Sequence, residues 1–144
     1  MGLYLDTSCL LKLLFPEPET RATAIHLAQE DRVVVSSLAR LEALVQIDGR
    51  RAGGLFSARQ ATLITKTLDA LMLQAPYELA NVPRDMIAVA EQQLKNYPVA
   101  HCRTLDRLHL SAMQSLGLDR ILTNDKVQWK AAVALGYRAI SPSF

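Results

Sequence analysis

Hydrophobic and polar positions change period repeatedly along the chain, from short apolar runs to stretches spaced three and four apart. Leu3 to Leu5 reads as a short buried strand, and Ser8 to Phe15 as a helix stopped by Pro16 and Pro18. Thr20 caps a helix to about Gln29, and the β-branched run Arg32-Val-Val-Val-Ser36 is the clearest strand. Ser36 and Ser37 suit the start of the helix SLARLEALVQI, whose apolar stripe reads as Leu38, Leu41, Leu44 and Val45. Gly53 and Gly54 separate it from a long helix over Ser57 to Leu73.

Tyr77 to Val82 reads as a third strand, and Pro83 as the first residue of a helix ending near Lys95. A helix from Thr104 to Leu116 closes at Gly117, and Ile121 to Thr123 is a strand. A helix from Lys126 to Leu135 closes at Gly136, and Arg138 to Ile140 is the last strand. No internal repeat or low-complexity linker interrupts this alternation. Short strands alternating with helices predict an α/β fold of three layers, with helices on both faces of a central, mostly parallel sheet. In such sheets ligands bind beyond the carboxyl ends of the strands.

The length of 144 residues fits one domain, 1–144, and the 50% hydrophobic composition fits a packed core. No apolar run approaches the ~20 residues of a membrane span, and Asp6 breaks the first one too early for a signal peptide. A cytoplasmic protein without membrane contact is the expectation. Cys9 and Cys102 stand far apart without CxxC spacing, which suggests neither a zinc site nor a disulfide scaffold and reads as two buried thiols. A formal charge of +2 does not announce a nucleic-acid binder, but Arg50, Arg51, Arg59 and Lys66 fall near one another, as do Arg103 and Arg107. A solvated surface explains such residues as readily as a polyanion partner does.

The strand-end rule gives the acids a location. Asp6 follows the first strand directly, Asp125 follows Ile121 to Thr123 after one residue, and Glu42 lies within two turns of the second strand's end. Asp106 reaches the same rim if the segment Asn96 to Arg103 climbs back along the sheet, since eight extended residues span ~26 Å. Each acid also has a plain structural reading. Asp6 can cap a helix, Asp125 can form a capping box with Gln128, Asp106 can complement a helix dipole, and Glu42 can face water. His109, between Leu108 and Leu110, reads as a packing histidine. Ser8 and Thr123 flank the proposed site, either as caps or as groups that place a carboxylate or a water.

Four carboxylates at one edge repel by about 4 kcal/mol per pair at 4 Å and an effective dielectric near 20, so the cluster calls for a cation. Oxygen donors without His or Cys suit Mg²⁺ or Mn²⁺, and phosphodiester hydrolysis is the natural chemistry. A Walker loop, GxGxxG, GxSxG and the DxD of aspartyl phosphatases are all missing from the sequence.

The segments YLDTSCLLKLLFPEPET, VVSSLARLEAL, RTLDRLHLSAMQSLGL and ILTNDKVQWKAAVALGYRAI, in this order, resemble the PIN-domain nucleases, particularly toxins of VapBC-type toxin–antitoxin pairs. The resemblance implies a three-layer PIN-like fold and an acidic site of Asp6, Glu42, Asp106 and Asp125, supported by Thr7, Ser8 and Thr123. Asp6, Asp106 and Asp125 would contact Mg²⁺ or Mn²⁺, and Glu42 would make a water-mediated contact or orient the attacking water. Asn124 departs from the family, which often has a small or apolar residue there.

The implied activity is an endoribonuclease leaving a 5′-phosphate, in a homodimer restrained by a cognate antitoxin. The apolar faces of Ser8 to Phe15 and Leu38 to Ile47 are candidate contact surfaces for it, with core packing as their other reading. An RNA-maturation nuclease of the same family and a non-catalytic RNA-binding module are the alternatives.

Overall fold

A computed structural model describes residues 2–97 and 101–144. In chain order the elements are β1 (Leu3–Leu5), α1 (Thr7–Leu14), α2 (Thr20–Leu27), β2 (Val33–Ser36), α3 (Ser37–Ala52) and α4 (Ala58–Leu71). Then follow β3 (Tyr77–Ala80), α5 (Met86–Asn96), α6 (Thr104–Ser115), β4 (Arg120–Leu122), α7 (Lys126–Ala134) and β5 (Arg138–Ile140). The sheet order is β3-β2-β1-β4-β5, and all four pairings are parallel. This is the α/β architecture the alternation predicts.

The central strand β1 shows how the layers form. Side chains alternate across a strand, so Leu3 and Leu5 enter one core with Leu10, Ala39, Ala43 and Leu68, while Tyr4 enters the other with Leu110, Met113 and Ala132. Helices α1, α3 and α4 therefore cover one face, and α6 and α7 the other. Gly117 and Gly136, at φ 71° and 87°, end α6 and α7 as expected, because a side chain at such an angle is strained.

Three expectations are corrected. The buried stripe of α3 is Ala39, Ala43 and Ile47, whereas Leu41 and Val45 are 58% and 60% exposed. Leu44 packs against the core as expected, and alanines let the helix approach the sheet closely, so small side chains with Leu44 mark its inner face. Pro83 precedes α5 in a turn, with Met86 N–H donating to the Pro83 carbonyl at 3.1 Å, and the helix begins at Met86. The third strand stops at Ala80, two residues before Val82.

The climb from Asn96 to Arg103 passes through residues 98–100, which lie outside the described residues; α6 nevertheless begins at Thr104 as expected. Cys9 and Cys102 are buried free thiols, and burial pushes the Cys9 thiol up to about 12. Among the described residues no helix is long and apolar enough to cross a membrane.

Candidate active site

Asp6 follows β1 immediately, and its backbone N–H continues the ladder by donating to Leu122 of β4 at 3.1 Å. It occupies the N-cap position of α1, yet its side chain makes no capping bond. Instead Oδ2 accepts from Thr123 Oγ1 at 2.7 Å and Ser8 Oγ at 2.9 Å. The Ser8 hydroxyl also accepts the Asn124 N–H at 2.9 Å, and Thr123 Oγ1 accepts the Asp125 N–H at 3.1 Å. These two hydroxyls thus tie the end of β1 to the end of β4. The Asn124 side chain turns toward the C-terminus, its Oδ1 accepting from Ser143 Oγ at 2.6 Å.

Asp125 caps α7, with Oδ1 accepting from Val127 N–H at 2.8 Å and Gln128 N–H at 3.2 Å, but the expected capping box does not close, because the Gln128 side chain donates to the Asp106 carbonyl at 3.1 Å. Its Oδ2 faces Arg103, whose Nη2 is 3.7 Å away. The same guanidinium reaches Asp106 Oδ2 through Nε at 3.4 Å. Asp106, in the first turn of α6, is thereby placed at the rim with Asp125. Burial pushes the Asp106 carboxyl up, and the charges of Asp125 and Asp6 add to that push against the opposing pull of Arg103.

Glu42 comes from the second turn of α3 and does not simply face water. Its Oε1 accepts from Thr7 Oγ1 at 2.9 Å and is hydrogen-bonded to His109 Nε2. Burial raises the Glu42 carboxyl, but the bonds to His109 and Thr7 outweigh it and hold the group below its ordinary range. For His109 burial lowers the ring's proton affinity, and the Glu42 bond with the Asp6, Glu42 and Asp106 charges raises it above the ordinary value. Glu42, Arg103, Thr104 and Asp106 line one open groove at this rim, with Gln46 and Leu105.

Two residues gain a place beyond the sequence reading, His109 and Arg103. His109 is buried as expected of a packing residue, yet it bonds Glu42. Arg103 is the basic residue at the acidic rim; Arg50 stacks on Phe15 at 4.0 Å and Arg51 pairs with Asp48, so that cluster serves the helix surface. Thr7, expected as a supporting residue, donates to Glu42. The signal is spacing: Asp106 and His109 stand three apart on one face of α6, and Arg103 stands three before Asp106 at its N-cap.

Among the described residues no three His, Cys, Asp or Glu side chains are already gathered as a metal cage. The donor chemistry fits a hard divalent cation all the same, because it is all oxygen and because a cationic guanidinium already bridges Asp106 and Asp125.

The PIN domain family model matches residues 3–134. Ribonuclease VapC46 of Mycobacterium tuberculosis is 31% identical over 144 residues, covering 99% of this chain and 98% of that protein. Among solved structures, VapBC2 from Rickettsia felis, bound to a promoter DNA fragment, superposes with a TM-score of 0.71 at 12% identity, covering 98% of each chain. VapC20 of M. tuberculosis, a sarcin–ricin loop cleaving toxin, superposes with a TM-score of 0.68 at 17% identity, covering 94% of this chain and 95% of that one. The chain therefore belongs to the PIN-domain family, among its VapC-type ribonuclease toxins.

Proposed function

We propose that this chain is an endoribonuclease toxin that cuts RNA phosphodiester bonds with water at the rim formed by Asp6, Glu42, Asp106 and Asp125. The observation that carries this reading is the bridging of Asp106 and Asp125 by one guanidinium, beside an Asp6 that two hydroxyls hold. Asp6, Asp106 and Asp125 would hold Mg²⁺ or Mn²⁺. When bound, the cation offsets the carboxylate charge, polarises the phosphate and makes a water nucleophilic at neutral pH.

The side chains divide the remaining work. Thr123 and Ser8 fix the direction of Asp6, so that it needs no reorganisation when substrate arrives. Glu42, held as a carboxylate, accepts a hydrogen bond from the attacking water and orients it toward phosphorus. Arg103 is 80% exposed and can turn from the carboxylates to a substrate phosphate.

The antitoxin belongs to the same reading. Leu41, Val45 and Leu105 are exposed beside Glu42, and relatives from Klebsiella pneumoniae and Salmonella typhimurium were solved as a toxin–antitoxin complex and as DNA-bound VapBC. A homodimer and a cytoplasmic location accompany it.

The experiment is cleavage of single-stranded RNA by the purified chain with and without Mg²⁺ or Mn²⁺, alongside Asp6→Asn and Asp106→Asn. Cation-dependent cleavage that both variants lose while keeping their fold is expected. Cleavage unchanged in both folded variants overturns the assignment.

A further inference from the structure

A chain of buried polar groups runs from the second strand to Glu42. Ser36 Oγ accepts the Ala39 N–H at 3.1 Å and lies 2.7 Å from Tyr4 Oη. Tyr4 Oη lies 2.6 Å from His109 Nδ1, and the two rings meet edge to face at 5.7 Å. His109 Nε2 is hydrogen-bonded to Glu42 Oε1, the same oxygen that Thr7 Oγ1 donates to at 2.9 Å. Ser36, Tyr4 and His109 are at most 2% exposed, so none of these groups is satisfied by bulk water.

Proton counting fixes the ring. A carboxylate oxygen only accepts, so Nε2 must carry the hydrogen toward Glu42. In the neutral ring Nδ1 then accepts from the Tyr4 hydroxyl, and Ser36 donates to the Tyr4 oxygen while accepting from Ala39. In the protonated ring Nδ1–H donates to the Tyr4 oxygen, and the Tyr4 hydroxyl turns to Ser36. Either way Oε1 of Glu42 is engaged by two donors from two elements, Thr7 on α1 and His109 on α6. The chemistry of Glu42 toward the groove falls to its other oxygen, Oε2.

We propose that His109 is a positioning residue for the cleavage reaction. With Thr7 it clamps Oε1 of Glu42 and so presents Oε2 to the attacking water, while Tyr4 and Ser36 set the tautomer and angle of the ring. This rests on the reading of Glu42 given above as the residue that orients water. A packing histidine would need no carboxylate on its inner nitrogen. The sequence separations, 105 residues from Tyr4 and 67 from Glu42, show that the network is built by the fold rather than by a local turn.

The test compares His109→Leu, His109→Gln, Glu42→Gln and the double variant His109→Leu/Glu42→Gln by cleavage kinetics. It adds ¹⁵N NMR of the histidine rings in the cation-free protein. His109→Leu is expected to lower kcat about 10- to 100-fold with KM within about twofold, the loss typical of a group that orients a working ligand. His109→Gln, which retains an N–H donor, recovers part of it, and His109→Leu adds no further loss in the Glu42→Gln background. In the wild type, Nε2 carries a proton protected from exchange, whose signal moves in Glu42→Gln.

A folded His109→Leu with wild-type kcat, or losses that multiply in the double variant, overturns the proposal while leaving a Glu42-dependent nuclease intact. A Glu42→Gln enzyme that cleaves normally instead overturns the reading of Glu42 on which the proposal rests. If His109→Leu does not fold, the NMR decides alone: an unprotonated Nε2, or a signal indifferent to Glu42→Gln, refutes the clamp.

Discussion

Replacing Thr123 by Val keeps the shape of the side chain and removes the hydroxyl that ties β1 to β4. That hydroxyl is fully buried, donates to Asp6 Oδ2 at 2.7 Å and accepts the Asp125 N–H at 3.1 Å. A hydrogen bond to a charged group is worth about 1.5–3 kcal/mol, and an orphaned backbone N–H costs about 1 kcal/mol more. The Ser8 bond to Asp6 survives and softens the loss, so about 3 kcal/mol is expected. For a domain of this size that corresponds to roughly 10 °C in Tm.

Thermal and urea unfolding of the cation-free protein measure it, with Thr123→Ser as the control that keeps the hydroxyl. Thr123→Val should fall well below Thr123→Ser, and its urea slope should match the wild type. A Val variant within about 0.5 kcal/mol of wild type would refute the account of how Asp6 is fixed.

Overpacking tests the corrected inner face of α3: Ala43→Leu should cost at least about 1–3 kcal/mol in urea unfolding, whereas Leu41→Ala on the exposed side should stay within about 0.5 kcal/mol. Arg103→Gln should raise KM for RNA. In an Asp6→Asn background it should also reduce the slope of log affinity against log salt by about 0.7, one phosphate contact on a single strand, as read by fluorescence anisotropy.

The Arg120 guanidinium donates to Glu30 at 2.9 and 2.5 Å, and these bonds hold the Glu30 carboxyl below its ordinary value. A depressed carboxyl stabilises the fold above its unfolded pKa, and that contribution disappears as pH falls through the folded one. Arg120→Met should therefore lose about 1–2 kcal/mol at neutral pH and show a shallower fall of Tm below about pH 4.5 than the wild type.

The ends of the strands were legible because Asp6 and Asp125 follow β-branched or leucine-rich runs without an intervening helix turn. Parallel pairing then put both at one edge. The inner face of α3 was not legible from hydrophobicity, because Leu41 and Val45 outrank Ala39 and Ala43 on any such scale while close approach to the sheet selects the smaller residue.

His109 is buried as expected, but its polar partners are not legible in the sequence, for a related reason. Flanking leucines describe its neighbours in sequence, whereas its partners Tyr4 and Glu42 arrive from β1 and α3. Its spacing of three from Asp106 held the clue, since two such positions share a helix face. The plain capping role of Asp125 and the site role proposed for it coexist, because the cap uses Oδ1 and Arg103 meets Oδ2. For Asp6 the capping role failed, since Ser8 and Thr123 turn Oδ2 toward themselves.

These carboxylates are proposed to form one cation site. The most direct measurement is the anomalous scattering of Mn²⁺ in a crystal of the chain grown or soaked with that ion. A peak bounded by Asp6, Asp106 and Asp125 is expected, with the Arg103 guanidinium withdrawn from Asp106 and Asp125. A peak bound elsewhere, or none at saturating Mn²⁺ with Arg103 still bridging the two carboxylates, would contradict it.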